Sequence, residues 1–597
     1  MNVRTRRSLA AVLLTLVFVT PAPAGAQAPT VENTIRLRVE QARQQPTVGV
    51  RGTRLLQPEA VARFFEARAF ASAWRLPGGA EQVLAAIRDI DLDGLTPADY
   101  HLSVITAALD AHGKAPSTEI AADLQVLIAD AAAALVDHVR YGRVRPASLD
   151  KRWNVDPRVG APALDVALSE LARATSLNVG LNVGLNVGVD VAIEAKKPTH
   201  FIYAGLKQAL ARMRTVARSG GWPTVTAGAA IKPGAADPRV AFVRKRLLVT
   251  GELASTAPVA DTVYGPELES AVKKFQAHHR LTDDGVIGKA TIEAMNVSAE
   301  ALVQQLRVNL ERARWVIGGL SDTFVLVNLP AFKAYVIRDR KNVWEARTQI
   351  GREARQTPTF RADMKYLVLN PDWTVPPTIL AQDVLAGMRK GQNTIARKKL
   401  TILDQQGRTV DPASIDWQNA TPRNFRYTLR QPPGPDNALG RIKFTFPNQH
   451  SIFLHDTPSQ ELFASDQRTF SSGCIRVEHP LDLAAVLLEG QDNWNPTRIQ
   501  EAVDSKQSQT VFLNTPLPVL IVYWTVSVGV TGDLRFAKDV YALDPAVLRA
   551  LGDTQPGQST LSVPERSQAA GRPSKASGFT TPSGSTDIAA RPPERRR

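Results

Sequence analysis

Between residues 31 and 225, apolar residues recur at intervals of three and four, which is the period of amphipathic helices. The pattern is clearest in ARFFEARAFASAWR, EQVLAAIRDI and LQVLIADAAAALVDHVRYGRV. The tetrad LNVG, repeated three times between Leu177 and Gly188, interrupts it with uncharged residues rich in Asn and Gly. We expect a loop there. The pattern predicts a helical domain over residues 31–225.

Residues 236–297 form a second, smaller helical unit. Pro266 suits the first turn of a helix whose apolar face runs from Leu268 to Phe275. Asp284 and Gly285 are a turn signal, and another helix follows them. These features predict a compact module of three helices.

From residue 309 to residue 551 the pattern changes to short strands separated by Pro, Gly and Asn. The strand segments are TFVLVNLPAFKAYVIRD, NVWEARTQIG, MKYLVLNP, RIKFTFP, SIFLHD and TVFLNT. A helical insertion at about 378–424 interrupts them, and FTFPNQHSIFLHD predicts a hairpin that ends at His455. The expected fold is therefore multidomain α+β, with two helical parts followed by a mainly-β domain.

The two ends of the chain have a different character. MNVRTRR is basic, SLAAVLLTLVFVT is apolar, and Ala24, Gly25 and Ala26 offer a cleavage site, so we predict a signal peptide over residues 1–26 and a periplasmic location. Residues 553–597 are rich in Ser, Pro, Gly and Arg, which predicts a disordered tail.

The net charge of +15 favours acidic surroundings such as a bacterial envelope. Export and the lack of a recognition motif argue against nucleic acid as a partner. No later apolar run reaches membrane length, and we expect LPVLIVYWTVSVGV to form a buried strand or hairpin, so no stable membrane span is predicted.

Cys474 is the one cysteine of the chain and lies in SSGCIRVEHP. It cannot form an internal disulfide, which leaves a buried packing residue, an intermolecular cross-link or a nucleophile. A nucleophile is favoured, because His455 lies nineteen residues upstream at the end of a predicted strand and can take the thiol proton. Arg476 or Arg468 would favour the thiolate electrostatically.

Two further features of this segment concern the reaction. The backbone N–H groups of Gly473 and Cys474 are candidate donors to an oxyanion. Two other histidines are weaker candidates for the base, because His479 should point toward solvent before Pro480 and His450 should sit in the hairpin turn.

HDTPS, followed after a spacer by SSGCIRVEHP, resembles the catalytic motif of the L,D-transpeptidase (YkuD-like) family. QPPGPDNALGRIKF and NPDWTVPPTI resemble segments of its large periplasmic members, the second leading into a subdomain that caps the active site. The block at 236–297 resembles the peptidoglycan-binding domain type 1, and the N-terminal block resembles the scaffold domain of these members. The resemblance covers nearly all of the chain except the tail.

The resemblance implies a reaction on peptidoglycan tetrapeptide stems, which serve as donor and acceptor. Cys474 attacks the carbonyl of diaminopimelate, D-alanine leaves, and an amine of a second stem takes the acyl group to give a 3→3 cross-link. His455 accepts and donates the proton. The resemblance also implies inhibition by carbapenems and no cofactor, and it leaves open whether a glycan-polymerising synthase supplies the substrate.

The resemblance assigns supporting roles to four further residues. Ser471, Ser472 and Thr457 are expected to be hydrogen-bonding supports, and Ser472 stands where many family members have histidine. For Arg476 three roles are open: contact with a substrate carboxylate, an ion pair with Glu478, or support of the loop.

Three other functions compete with transpeptidation. An L,D-carboxypeptidase or endopeptidase would use the same nucleophile with water as acceptor, and a wall-binding scaffold would not turn over at all. A zinc hydrolase is disfavoured because no HExxH-like cluster is present, so we predict no metal.

Overall fold

A computed structural model describes residues 30–177, 188–254, 260–529 and 532–552. The predicted signal peptide, most of the LNVG repeat and the predicted disordered tail lie outside the described residues. Among the described residues, no helix has both the length and the apolar character needed to cross a bilayer. No group of three His, Cys, Asp or Glu side chains in the same residues is arranged to hold a metal ion.

The N-terminal region is helical, as its periodicity predicts. Its helices are α1 (Val31–Gln44), α2 (Pro58–Glu66), α3 (Gly78–Asp89), α4 (Leu102–Lys114), α5 (Thr118–Tyr141), α6 (Pro146–Leu149), α7 (Leu164–Leu177), α8 (Val189–Glu194) and α9 (Phe201–Arg218). The long α5 is buried over most of its length and packs against α1, α4 and α7. Its many alanines let these neighbours approach closely, and Ser117 caps its first turn by accepting from the Ile120 N–H at 3.1 Å.

The second helical unit has three helices, as predicted. They are α10 (Val240–Thr250), α11 (Pro266–His278) and α12 (Lys289–Met295). The apolar face of α11 is buried, and Tyr264 donates to the carbonyl of Gly285 at 2.5 Å, which ties the turn to the start of that helix.

A helix that we did not predict from the sequence joins this unit to the sheet. It is α13 (Ala299–Val316), and it packs along α9 of the N-terminal region. Asn309, where we expected the strand region to begin, lies inside this helix, and the first strand starts at Phe324. Leu302, Leu306 and Leu310 are buried at intervals of four, which is the helical signal in this segment.

The C-terminal region is built on a closed sheet. Its strands are β1 (Phe324–Asn328), β2 (Lys333–Arg338), β3 (Lys341–Gly351), β4 (Phe360–Leu369), β5 (Trp373–Thr374), β6 (Thr401–Leu403), β7 (Thr428–Gln431), β8 (Ile442–Thr445), β9 (Leu454–His455), β10 (Thr469–Ser471), β11 (Ile475–Val477), β12 (Gln509–Val522), β13 (Val526–Val528) and β14 (Leu534–Phe536). The main sheet has the order β10-β3-β11-β9-β8-β4-β12-β1-β2, and β2 also pairs with β3. Eight strands therefore close into a barrel, and β10 adds to β3 outside it.

Alternating residues of these strands fill the barrel. Its core includes Val325, Val327, Ala334, Val336, Ile350, Met364, Leu367, Ile442, Phe444, Leu454, Ile475, Val477 and Ile521. The segment LPVLIVYWTVSVGV forms the end of β12 followed by β13, as expected, and β13 pairs with β14. The predicted hairpin is also present, since β8 and β9 pair antiparallel.

Helices complete the C-terminal region. They are α14 (Pro377–Ile379), α15 (Ala386–Arg389), α16 (Thr394–Arg397), α17 (Pro480–Leu487), α18 (Pro496–Asp504) and α19 (Asp544–Ala550), and a π-helical turn (Leu380–Leu385) lies between α14 and α15. The helical insertion has a three-stranded sheet of its own, β5-β7-β6, and a separate core that reaches from Trp373 to Leu439. The insertion is thus a small subdomain of helices and strands, and it extends beyond the predicted range of 378–424 at both ends.

Candidate active site

Two neighbouring strands of the barrel carry the predicted nucleophile and base. β9 and β11 run parallel, with Leu454 opposite Ile475 and His455 opposite Arg476. Leu454 and Ile475 lie in the barrel core, so His455 and Arg476 are on the outer face, as is Cys474, two residues before Arg476. The structure therefore brings Cys474 and His455 to one face of the sheet as diagonal neighbours.

His455 is flanked by two cationic residues, Lys443 on β8 and Arg476 on β11. The side chain is buried, and Nδ1 lies 2.5 Å from the carbonyl oxygen of Asp456. This contact keeps the proton of the neutral ring on Nδ1 and leaves the lone pair on Nε2. Burial and the charge of Arg476 lower the pKa of His455 to about 3. The imidazole is therefore neutral at physiological pH and can act as a base.

In the resting structure the Cys474 thiol is hydrogen-bonded to the backbone that precedes β9. Its Sγ donates to the carbonyl oxygen of Ser451 at 3.7 Å, and the Phe453 backbone N–H donates to the sulfur. Burial raises the pKa of Cys474 to about 11, although this N–H and two nearby cations act in the opposite direction. Among the described residues no hydrogen bond joins Sγ to His455, so the resting pair is neutral. Catalytic hydrogen bonds commonly tighten only when substrate binds.

Asp456 fixes the loop that follows His455. Its carboxylate accepts from the backbone N–H groups of Arg441 and Thr457, both at 2.8 Å. Gly440 stands at φ +60°, and a Cβ at this position would lie 2.4 Å from the Asp456 carboxyl. Glycine is thus required where the chain enters β8, because a side chain would displace the support of the base.

Gly473 precedes Cys474 with φ +121°, a backbone conformation that favours glycine. Its N–H donates to Ser471 Oγ at 3.1 Å, and its carbonyl accepts from Thr357 Oγ1 at 2.7 Å. The N–H that we expected to face an oxyanion is therefore occupied in the resting structure, because Ser471 folds back over the loop and donates to the carbonyl of Cys474 at 2.5 Å. The oxyanion role of Gly473 stays a prediction.

The other predicted supports lie in the segments that carry Cys474 and His455. Ser472 Oγ accepts from Arg355 at 2.9 Å, and Thr457 Oγ1 accepts from the Ser459 N–H at 3.2 Å. The guanidinium of Arg355 also binds Asp383 of the capping insertion at 2.7 and 2.8 Å. One arginine thus connects the nucleophile loop to the insertion.

The structure narrows the roles considered for the arginines. Arg476 donates to Gln349 at 3.0 Å, whereas Glu478 pairs with Arg347 at 2.5 and 2.8 Å. The ion pair between Arg476 and Glu478 that we considered is therefore not formed. Arg468 donates to backbone carbonyls of β3 and of the loop before β10, so it supports the loop and does not face the thiol.

The two alternative histidines lie where the sequence indicated. His479 Nε2 comes only within 3.9 Å of Glu478, and the His479 side chain is 66% exposed. His450 is in the turn between β8 and β9, where its ring lies 4.9 Å from that of Phe360. Both histidines lie outside the paired strands β8, β9 and β11.

Sequence reasoning missed three residues of this site: Lys443, Arg355 and Thr357. A signal for Lys443 was present, because Ile442 and Phe444 are core positions and the residue between them must face outward. Arg355 and Thr357 gave no local signal, since each reaches the nucleophile loop across more than a hundred residues of sequence.

Three family models match the chain. The L,D-transpeptidase catalytic domain matches residues 322–499, the scaffold domain residues 59–210, and the "Putative peptidoglycan binding domain" residues 237–295. Three segments of the chain are thus similar to an L,D-transpeptidase catalytic domain, a scaffold domain and a peptidoglycan-binding domain. The resemblance inferred from the motifs is confirmed.

Individual relatives agree with these matches. A "Putative L,D-transpeptidase" of Haemophilus influenzae is 35% identical over 243 residues, which are 41% of this chain and 48% of that protein. The chain thus spans about half the length of this curated relative. Among solved structures, an L,D-transpeptidase from Xylanimonas cellulosilytica is 14% identical with a TM-score of 0.16, and it covers 50% of this chain and 99% of its own. The Ldtfm-avibactam carbamoyl enzyme is 11% identical with a TM-score of 0.17, at coverages of 53% and 98%. TM-scores this low add nothing to the family matches.

Proposed function

We propose that this protein is an L,D-transpeptidase that forms 3→3 cross-links in peptidoglycan. His455 takes the thiol proton of Cys474 as the sulfur bonds to the diaminopimelate carbonyl carbon of a tetrapeptide stem. The bond from that carbon to D-alanine then breaks, and the amine leaves with that proton. An amine of a second stem then attacks the thioester, which returns the thiol. The acyl group is thus transferred with no net oxidation and no cofactor.

One observation carries this proposal: Cys474 and His455 share the outer face of adjacent strands in the domain that matches the family. The neutral imidazole presents Nε2 as a general base, and the Nδ1 contact with Asp456 holds the ring in that tautomer. Lys443 and Arg476 act electrostatically on the sulfur and favour its anionic form. The same cations favour the negative charge that develops on an attacked carbonyl.

The proposed substrate and location follow from other parts of the chain. The domain at 237–295 supports peptidoglycan as the polymer on which the enzyme acts. The signal-peptide pattern supports action in the periplasm, where peptidoglycan lies. A basic protein of net charge +15 suits that acidic envelope.

Product mass tests the proposal. The mature protein and its Cys474→Ala variant are incubated with a disaccharide tetrapeptide, and the products are separated by mass. We expect the native protein to give a dimer that has lost one D-alanine, and the variant to give none. Disaccharide tripeptide as the main native product would identify a carboxypeptidase. Equal dimer yields from the two proteins would overturn the cysteine mechanism, and no product from either would favour a wall-binding scaffold.

A further inference from the structure

A cavity of about 270 Å³ lies between the capping insertion and the barrel. On the barrel side it is lined by Thr457, two residues after the base, and by Arg476, two residues after the nucleophile. On the insertion side its lining includes Lys398 at the end of α16. The cavity thus shares lining residues with the segments that carry His455 and Cys474, although neither of those two residues lines it.

The lining of this cavity is strongly cationic. Arg397, Lys398, Lys399 and Arg476 contribute positive charges, and Asp436 is the one carboxylate among the lining residues. Asp436 is already engaged, because Lys399 forms an ion pair with it. Three cations thus remain uncompensated within the lining.

Lys398 and Arg476 are the two of these cations that are half-buried. Within the described residues, Lys398 Nζ forms no ion pair and no hydrogen bond. The carboxylate whose charge acts on it, Asp383, is held by Arg355 at 2.7 and 2.8 Å. Arg476 has a neutral partner, Gln349, and its electrostatic interaction with Glu461 is not an ion pair within 4.0 Å.

A pair of partly desolvated cations without a carboxylate partner is expensive unless an anion binds between them. Burial lowers the pKa of Lys398, as does the positive charge of Arg397 and Arg476. An anion bound between Lys398 and Arg476 would offset this unfavourable positive charge. The bound group must be small, since the cavity is small.

We propose that Lys398 and Arg476 together bind a carboxylate of the donor stem peptide in this cavity. The inference rests on the proposed function and names the group by which the donor is recognised. Two carboxylates flank the scissile bond of a tetrapeptide stem: the C-terminal carboxylate of D-alanine and the side-chain carboxylate of diaminopimelate. Both offer the same chemistry to the two cations.

Direct binding tests this inference without turnover. The dissociation constant of the free tetrapeptide is measured by calorimetry on full-length Cys474→Ala protein, alone and combined with Lys398→Gln. Lys390→Gln is the matched control, because Lys390 is an exposed lysine of the same insertion outside the cavity. We expect Lys398→Gln to weaken binding about tenfold or more and Lys390→Gln to leave it unchanged.

Two amide analogues identify the carboxylate. One carries a C-terminal carboxamide and the other an amidated diaminopimelate side chain. The analogue that lacks the recognised carboxylate should bind the Lys398 protein about tenfold more weakly, and Lys398→Gln should weaken its binding no further. The other analogue should behave like the parent peptide. Equal affinities of all three peptides, or of the Lys398→Gln and Lys390→Gln proteins, would overturn the inference.

Acylation of Cys474 in the otherwise native protein is followed separately by intact mass. If the native protein is acylated while Lys398→Gln binds donor as tightly as the control, this inference is wrong and the proposed function stands. If the native protein is never acylated, the proposed function fails. The calorimetry still decides whether the cavity binds a carboxylate.

Discussion

Two charged regions of this molecule are built in opposite ways. The first is an ion network between the helical N-terminal region and α13. Its members are Asp93, Glu194, Lys197, Lys207, Tyr203, Glu311 and Arg314. The fully buried carboxylate of Asp93 accepts from Lys197 at 2.6 Å and from Lys207 at 3.0 Å, and Arg314 pairs with Glu311 at 3.0 Å. Burial alone would raise the pKa of Asp93, but Lys197 and Arg314 outweigh it and the pKa is lowered.

The second region is the outer face of β8, β9 and β11. Here Lys443 and Arg476 flank His455, and no carboxylate among the described residues forms an ion pair with either cation. Lys443 instead lies over the ring of Phe453, with Nζ 4.2 Å from its centroid. Burial lowers the pKa of Lys443 and of Arg476.

The difference separates a structural use of charge from a chemical one. In the N-terminal network every charge has its counter-charge in place, so the network holds two parts of the chain together. On the outer face of β8, β9 and β11 the positive charge has no partner in the resting protein, and in the proposed reaction a thiolate and an oxyanion would supply the negative charge. Such a face costs stability in the resting protein and is useful only if the proposed chemistry takes place.

The largest effect is expected when His455, the proposed base, is replaced. His455→Gln should slow the acylation of Cys474 by a carbapenem by about 10²–10⁴-fold, because the neutral His455 imidazole is the proposed acceptor of the thiol proton. Acylation is followed by intact mass under single-turnover conditions. The matched control is His479→Gln, since His479 is an exposed histidine two residues beyond β11. Equal rates for the two variants would mean that His455 is not the base.

The next effect concerns stability and should appear only in the N-terminal network. Arg314→Met leaves Glu311 buried without its partner and should lower the free energy of unfolding by about 3–5 kcal/mol. Arg340→Met removes an exposed ion pair with Asp322 and should leave the denaturation midpoint in urea unchanged. The rate of acylation per folded molecule should be unaffected in both variants. A loss of rate without a loss of stability in Arg314→Met would show that the two regions are not separate.

The sequence predicted the parts of the site that depend on local pattern. His455 could be placed at a strand end because the hairpin FTFPNQHSIFLHD alternates apolar residues around a turn, and the helical N-terminal region followed from its period. The glycine before Cys474 signalled an unusual backbone, which φ +121° confirms at Gly473.

The rest of the site depends on contacts that local pattern does not encode. The row Lys443, His455 and Arg476 exists only because β8, β9 and β11 are adjacent in a defined register. Arg355 reaches Ser472 across more than a hundred residues. The Gly473 N–H points to the hydroxyl of Ser471. The motif contains Ser471 but does not specify the orientation of its side chain.

The smallest expected effect concerns the charge of the resting thiol. Because the pKa of Cys474 is raised to about 11, the thiol is neutral at pH 7, and its thiolate fraction grows about tenfold for each pH unit up to that value. The rate of alkylation by iodoacetamide should therefore rise about tenfold per unit from pH 7 to 9 without a plateau.

Lys443→Met removes a charge that favours the thiolate, so it should raise the pKa of Cys474 further and slow alkylation several-fold at every pH in this range. Lys365→Met, at an exposed lysine of the neighbouring strand β4, should not slow it. A plateau near neutral pH would reveal a thiolate–imidazolium pair, and equal rates for the two lysine variants would show that the unmatched charge of Lys443 does not act on the sulfur.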